Sequence, residues 1–96
     1  MKAYIIVDVS VTDAALYEEY KKLTPSSLLP FGGKFLVRGG KTETLEGDWV
    51  PGRFVILEFP SLEKARAWYS SDDYSAARLI RQRAAHTQMV LAEGMD

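Results

Sequence analysis

Strand and helix patterns follow one another along this chain in an order that few folds accommodate. Residues with strand propensity alternate over four segments, which are Tyr4–Val9, Lys34–Arg38, Arg53–Phe59 and Thr87–Ala92. Apolar residues recur at helical spacing after the first and after the third of these segments. The order strand, helix, strand, strand, helix, strand predicts an α+β, ferredoxin-like βαββαβ fold, in which right-handed crossovers place the helices on one face of a four-stranded antiparallel sheet.

Capping residues and turn formers predict where the elements begin and end. Thr12 is a candidate N-cap of the first helix, which we expect to end at Thr24-Pro25. Pro25 could also open a short second helical piece that ends at Pro30. Ser61 is a candidate N-cap for the second helical region, and Ser71 predicts a break followed by another short helix. Gly39-Gly40 predicts a bulge or a close backbone approach before an extended run over residues 42–45. The turn formers of residues 47–52 predict a hairpin between the second and third strands.

Composition favours one domain spanning residues 1–96 and excludes several classes of function. The net charge of −1 provides no basic field for a nucleic acid or an anionic membrane surface. The chain has no cysteine, and with His86 as its one histidine a multi-histidine metal site within one chain is impossible. The apolar run near the N-terminus stops at Asp8, too early for a signal sequence or a membrane span. We expect a cytoplasmic protein without a cofactor.

Both faces of the predicted sheet are apolar. One face should pack against the helices, and the opposite face would be polar if it met water. Instead, alternation gives that second face too much apolar surface for a monomer. A second copy of the same face is the simplest cover, so the pattern predicts a homodimer with two sheets packed together. The apolar residues that we assign to this second face are Tyr4, Ile6, Leu36, Phe54 and Ile56.

Three charged residues are assigned to the same second face. Alternation places Asp8, Glu58 and Arg38 there, and the strand order brings them close together. A carboxylate in a mostly apolar cavity would have a raised pKa and act as a general acid or base, while an arginine beside it would hold an anionic substrate group. These residues therefore suggest catalytic roles for Glu58 and Asp8 and substrate binding by Arg38. The equally weighted alternative is an ion pair inside a dimer interface.

Four further residues are candidates for ligand binding. Trp49 lies in a glycine-rich loop and must either fold back as a pocket lid or anchor the partner subunit. Tyr69 and Tyr74 lie on either side of the predicted helix break. Either their hydroxyl groups reach a pocket, or their rings pack in the core. Arg81 follows the apolar stripe of its helix and is a candidate for an inward ion pair. His86 is interpreted as a solvated residue rather than a proton shuttle.

Several motifs occur in a fixed order over nearly the whole chain. They are Gly32-Gly33-Lys34-Phe35-Leu36-Val37-Arg38-Gly39-Gly40, Leu45-Glu46-Gly47-Asp48-Trp49, Val55-Ile56-Leu57-Glu58-Phe59-Pro60-Ser61, Ala65-Arg66-Ala67-Trp68-Tyr69-Ser70-Ser71 with Tyr74, and Arg81 with Met89-Val90-Leu91-Ala92-Glu93-Gly94. This set closely resembles the DUF1330 family of small bacterial proteins. The resemblance implies a dimeric α/β-barrel and no established reaction. Phe31 departs from the family pattern, in which a histidine or tyrosine often precedes the Gly-Gly pair.

Two hypotheses about function follow from these patterns. In the first, the dimer binds or converts a compact organic acid or aromatic metabolite, with Arg38 orienting the ligand and Glu58 or Asp8 handling a proton. In the second, the protein is a non-catalytic ligand-binding or structural homodimer. The first predicts a carboxylate with a raised pKa beside a pocket of roughly 300 Å³, and the second predicts a lowered pKa without a cavity.

Overall fold

The computed structural model describes residues 1–95 and confirms the predicted fold class. The sheet has the order β2-β3-β1-β4, every pair of neighbours is antiparallel, and β1 and β3 are central. This is the ferredoxin-like arrangement. Within the described residues, no helix is long and apolar enough to cross a membrane. The elements are β1 (Ala3–Val11), α1 (Ala14–Leu28), a short 3-10 turn (Leu29–Phe31), β2 (Lys34–Arg38), β3 (Arg53–Phe59), α2 (Leu62–Tyr69), α3 (Asp72–Ala84) and β4 (Ala85–Glu93).

The helices cover one face of the sheet, which we call the inner face. Trp68 and Tyr74, both fully buried, stack with ring centroids 4.0 Å apart. The indole Nε1 of Trp68 donates a hydrogen bond of 3.0 Å to Ser27 Oγ, so its polar atom is satisfied inside the core. The buried residues of the two central strands alternate along β1 and β3 and point toward the helices; they include Ile5, Val7, Val9, Val55, Leu57 and Phe59.

The first helix begins one residue later than the sequence indicates. Asp13, and not Thr12, is the N-cap, since its side chain accepts a hydrogen bond from the backbone N–H of Leu16. The hydroxyl of Thr12 instead donates to the carbonyl of Ala84, at the end of α3. Thr12 therefore joins two helix ends rather than capping one.

The predicted end of α1 at Thr24-Pro25 is wrong, because the helix continues through Pro25 to Leu28. A proline inside a helix leaves the carbonyl four residues earlier without its usual N–H donor. Here that carbonyl belongs to Lys21, and it accepts a hydrogen bond of 2.9 Å from Nη2 of Arg38 on β2. A side chain from the sheet thus replaces the missing backbone donor.

The bulge in β2 lies at Leu36. At Gly39-Gly40, where the sequence predicts a bulge or a close backbone approach, the structure has the close approach, of Gly39 to the side chain of Arg53. Phe35 pairs with Leu57 and Val37 with Ile56, so Leu36 is an extra residue in the ladder. Each residue after it changes face relative to simple alternation. The predicted pairing of β2 with β3 is confirmed. The expected extended run over residues 42–45 forms no strand; residues 39–52 connect β2 to β3 as a loop.

Candidate functional site

The expected convergence of three charged residues on one face is wrong. Asp8 and Glu58 do lie on the face opposite the helices, which we call the outer face, but Asp8 pairs with Phe54 and Glu58 with Tyr4. The two carboxylates therefore stand at opposite ends of the β1–β3 ladder. Because of the bulge at Leu36, Arg38 pairs with Val55 and lies on the inner face.

Glu58 is held by two lysines. Its Oε1 is 3.3 Å from Nζ of Lys34 and 3.4 Å from Nζ of Lys2, and its side chain is 12% exposed. Partial desolvation favours the neutral carboxyl, but the hydrogen bond and charge of Lys34 and the charge of Lys2 outweigh it and lower the pKa of Glu58 below its ordinary value. A carboxylate with a lowered pKa is a poor proton donor near neutral pH, so these contacts favour a structural role.

Glu58→Gln is expected to lower the melting temperature at about pH 7 and to have a progressively smaller effect as the pH falls below the unfolded-state pKa of this carboxyl group. A carboxylate whose pKa is lowered by folding stabilises the protein above its unfolded-state pKa, 4.5 here. That contribution is lost as the pH falls through the lower folded-state value. Thermal unfolding of both proteins across this range is the measurement, with Glu43→Gln in the exposed loop as the control. A difference that persists unchanged at the acidic end would contradict the assignment.

Asp8 anchors the loop between β2 and β3. Its Oδ2 accepts a hydrogen bond of 2.7 Å from Nε1 of Trp49, and its Oδ1 accepts one of 2.9 Å from the backbone N–H of Gly52. The Trp49 ring packs edge-on against Phe54, with centroids 5.9 Å apart, and remains 56% exposed. Trp49 therefore folds back over the outer face of its own chain, where both oxygens of Asp8 already have donors.

A trough runs along the inner side of β4, beneath α2 and α3. It consists of two recesses that share Tyr69 and Met89, one with a volume of ≈ 320 Å³ and the other of ≈ 380 Å³. The first recess is apolar and the second is polar, so the β4 trough is amphipathic along its length. The apolar end is lined by Ile5, Ala65, Arg66 and Leu91, and the polar end by Arg81, Gln82, Ala85, His86 and Thr87.

Arg81 is the central residue of the polar end. It is 5% exposed, and its Nε donates a hydrogen bond of 3.2 Å to the hydroxyl of Tyr74, which lies 2.8 Å from the hydroxyl of Tyr20. The predicted inward orientation of Arg81 is correct, but the predicted ion pair is wrong, since no carboxylate within residues 1–95 forms a salt bridge with it. A buried guanidinium without a counter-ion is costly, and a bound anion would relieve that cost.

Two neighbouring hydroxyl groups add to the chemistry of this region. Oγ1 of Thr87 is buried at the polar end and has no hydrogen-bond partner among the described residues, so it is free to bind a ligand. Burial, together with the adjacent Tyr74, raises the pKa of Tyr20 far above its ordinary value. Tyr20 therefore stays neutral at physiological pH and acts as a hydrogen-bonding group.

The structure brings together only some of the candidate site residues. Tyr69 and Arg81 line the trough, and Tyr74 supports Arg81 from behind. Arg38, Trp49, Asp8 and Glu58 lie elsewhere. Thr87 and Met89 also line the trough and were not among the predicted site residues, although alternation along β4 places both on the inner face with Leu91. Within the described residues, no cluster of three or more His, Cys, Asp or Glu side chains could hold a metal ion.

Comparisons with known proteins agree with this architecture. The model of the family "Domain of unknown function (DUF1330)" matches residues 2–95. No curated protein matches the sequence significantly. Among solved structures, a protein of unknown function from Rhodopseudomonas palustris has a TM-score of 0.78 at 19% identity, covering 99% of this chain and 83% of that one.

Two other solved structures have different descriptions. A dimeric protein of unknown function with a ferredoxin-like fold, from Bacteroides fragilis, has a TM-score of 0.66 at 15% identity, covering 97% of this chain and 96% of that one. A cofactor-independent oxygenase from Streptomyces nogalater has a TM-score of 0.65 at 11% identity, covering 99% of this chain and 94% of that one. At such low identity the likeness shows the fold alone.

Proposed function

The chain belongs to the DUF1330 family, whose domain has no assigned function. We propose that this protein binds a compact organic acid with an apolar or aromatic body in the β4 trough. The acid group would pair with Arg81 at the polar end, and the body would lie against Tyr69, Met89 and Leu91. The observation that carries the proposal is the buried guanidinium of Arg81, which faces a cavity and has no carboxylate partner within residues 1–95.

The dimensions of the trough support a small ligand. Ligand pockets typically have volumes of roughly 300–1,000 Å³, are mostly apolar and carry a few polar groups that fix orientation. The two recesses, ≈ 320 and ≈ 380 Å³, fall within this range. Arg81 offers a charged pair of donors, and Thr87 Oγ1 offers a hydroxyl without a partner among the described residues.

Ligand binding is better supported than ligand conversion. The pKa of Glu58 is lowered and both oxygens of Asp8 accept hydrogen bonds, so neither carboxylate is prepared for proton transfer. Their catalytic roles stay predictions, as does substrate binding by Arg38 and Trp49. The hydroxyl pair of Tyr20 and Tyr74 beside Arg81 is the arrangement that most favours conversion as a second candidate function, since it could polarise a bound acid.

We propose further that the protein works as a homodimer formed through the outer face. Val37, Ile56, Ile6 and Val90 form one continuous apolar row across all four strands of that face. Val90 is 61% exposed, and Leu36 beside this row is 48% exposed. A Bacteroides fragilis protein with this fold is dimeric. Because the β4 trough opens on the inner face, sheet-to-sheet pairing would leave it accessible.

Arg81→Met is expected to weaken binding of 4-phenylbutyrate by about tenfold to a hundredfold, because a charge-assisted bidentate interaction is lost. The uncharged amide of the same compound should bind Arg81→Met and the parent protein with similar affinity. Isothermal titration calorimetry with both compounds measures the difference. Methionine keeps the packing volume, and the hydroxyl of Tyr74 keeps Tyr20 as its hydrogen-bond partner.

Arg83→Met is the matched control, since Arg83 lies on the same helix with an exposed side chain. It should bind the acid as the parent protein does. Equal affinity of the parent protein for the acid and the amide, or no binding of either, would contradict the proposed role of Arg81. If Arg83→Met weakens binding of the acid as much as Arg81→Met does, the proposed role of Arg81 is also contradicted.

A further inference from the structure

A second group of cationic side chains lies at the other side of the inner face, between α1 and the β2–β3 pair. Arg38 on β2 and Arg53 on β3 both line a small cavity there, together with Lys21 and Tyr17 of α1. This cavity shares only Met89 with the linings of the two recesses of the β4 trough. The cationic group and the trough are therefore separate features.

The backbone leaves space for one of the two guanidinium groups. Gly39 has φ = +71°, and a Cβ at this position would collide with Nη1 of Arg53. The backbone N–H of Gly39 donates a hydrogen bond of 2.7 Å to the carbonyl of Phe54, which fixes this close approach. The positive φ favours glycine here, and a side chain at this position would also displace the guanidinium of Arg53.

Each of the two arginines lies against an aromatic ring. Cζ of Arg38 is 4.3 Å from the ring centroid of Phe35, and Cζ of Arg53 is 5.6 Å from that of Tyr17. Contact with a ring face orients a guanidinium while leaving its N–H edge available for a planar or tetrahedral oxyanion. Among the described residues, the side chain of Arg38 donates one hydrogen bond, to the carbonyl of Lys21.

The charges of these arginines are not balanced by the protein. No carboxylate within residues 1–95 forms a salt bridge with Arg38 or Arg53, and the buried Nε of Arg53 has no acceptor among the described residues. Lys21 is paired only with the largely exposed Glu18 of its own helix. Arg38 is exposed and Arg53 is half-buried, and both line the same cavity. Their like charges repel each other, and an anion bound between them would reduce that repulsion.

We propose that Arg38 and Arg53 form a binding site for an oxyanion, the phosphate or carboxylate group of a small ligand. The enclosed volume below the guanidinium groups is ≈ 20 Å³, room for about one water molecule. The oxyanion therefore binds at the mouth of the cavity, and the remainder of the ligand lies outside it. This site is independent of the proposed acid site at Arg81.

Titration with inorganic phosphate and, separately, with acetate at constant ionic strength tests the proposal. The side-chain Nε–H signals of ¹⁵N-labelled protein are followed by NMR. A saturable shift of the Arg53 signal is expected with at least one of the two anions. Arg53→Lys keeps the charge but loses the planar fork, and Arg38→Lys does the same on the other strand. Each should weaken binding by about tenfold or more.

Arg83→Lys is the control and should leave the affinity unchanged, since Arg83 is exposed on α3. Saturation by phosphate alone would identify a phosphorylated ligand, and saturation by acetate alone would identify a carboxylate. If neither anion saturates the Arg53 signal, or if Arg83→Lys weakens binding as much as Arg53→Lys, the proposal is overturned. Binding of phenylbutyrate at Arg81 is measured separately, so failure at one site is distinguishable from failure at the other.

Discussion

Tyr74→Phe is expected to lower the free energy of unfolding by about 2–4 kcal/mol, although it removes only one oxygen atom. The hydroxyl of Tyr74 accepts a hydrogen bond from Nε of Arg81 and forms another with the hydroxyl of Tyr20. Phenylalanine retains the ring contact with Trp68 but leaves two buried polar groups without their partner. Each such group costs about 1–3 kcal/mol, and a charged one costs more.

Urea unfolding at a fixed protein concentration measures this change. Tyr69→Phe is the control, because the hydroxyl of Tyr69 has no hydrogen bond to another described residue and this variant should change stability by less than about 0.5 kcal/mol. In a background of Arg81→Met, Tyr74→Phe should cost less, since the guanidinium is no longer left unpaired. An effect of Tyr74→Phe no larger than that of Tyr69→Phe would show that the hydroxyl contacts do not form in solution.

The fold could be predicted because its signals are local. Strand alternation and helical spacing each extend over few residues, and the spans predicted for β2 and β3 agree with the structure. Ser61 was correctly identified as an N-cap, and the predicted helix break at Ser71 is confirmed, with Ser71 capping α3. Such signals are local because an N-cap acts on a backbone N–H only three residues away. Right-handed crossovers then leave few ways to join four strands and the helices.

The position of Arg38 could not be predicted, since it depends on one inserted residue. Alternation assigns Arg38 to the outer face, but the bulge at Leu36 reverses the assignment of each residue after it. Glycine was the only bulge signal available in the sequence, and it indicated Gly39-Gly40 instead. The hydrogen bond between Arg38 and the carbonyl of Lys21 depends in turn on Pro25 lying inside α1, which the low helix propensity of proline disfavours.

In the candidate site, too, the orientation of a side chain could be predicted from nearby residues, whereas its contacts could not. Spacing on α3 correctly indicates that Arg81 points inward, but only the packed structure shows that its partner is Tyr74 rather than a carboxylate. Tyr20 is far from both in sequence and joins them through the packing of α1 against α3. The chemical character of a buried cation is determined by such distant neighbours, which periodicity does not identify.

The outer face carries the prediction with the largest effect. Its middle row is apolar in every strand, whereas the rows on either side contain the satisfied charges of Glu58 and Asp8. Charged groups with internal partners cost less to bury between two sheets than a new unpaired charge in the middle row does. A charge at Ile6 on β1, in the centre of this row, should therefore destabilise a dimer most while leaving the monomer folded.

Ile6→Glu is expected to raise the dissociation constant of the proposed dimer by about a thousandfold or more. Two-fold symmetry buries two new carboxylates for each substitution, and each costs several kcal/mol. The monomer should still fold, because Ile6 is only partly buried in a single chain. Sedimentation velocity over a range of concentrations measures association, and circular dichroism checks the fold. Leu79→Glu, on the exposed side of α3, should sediment as a dimer. A parent protein that remains monomeric at every concentration, or an Ile6→Glu variant that associates as the parent does, would show that the outer face does not pair.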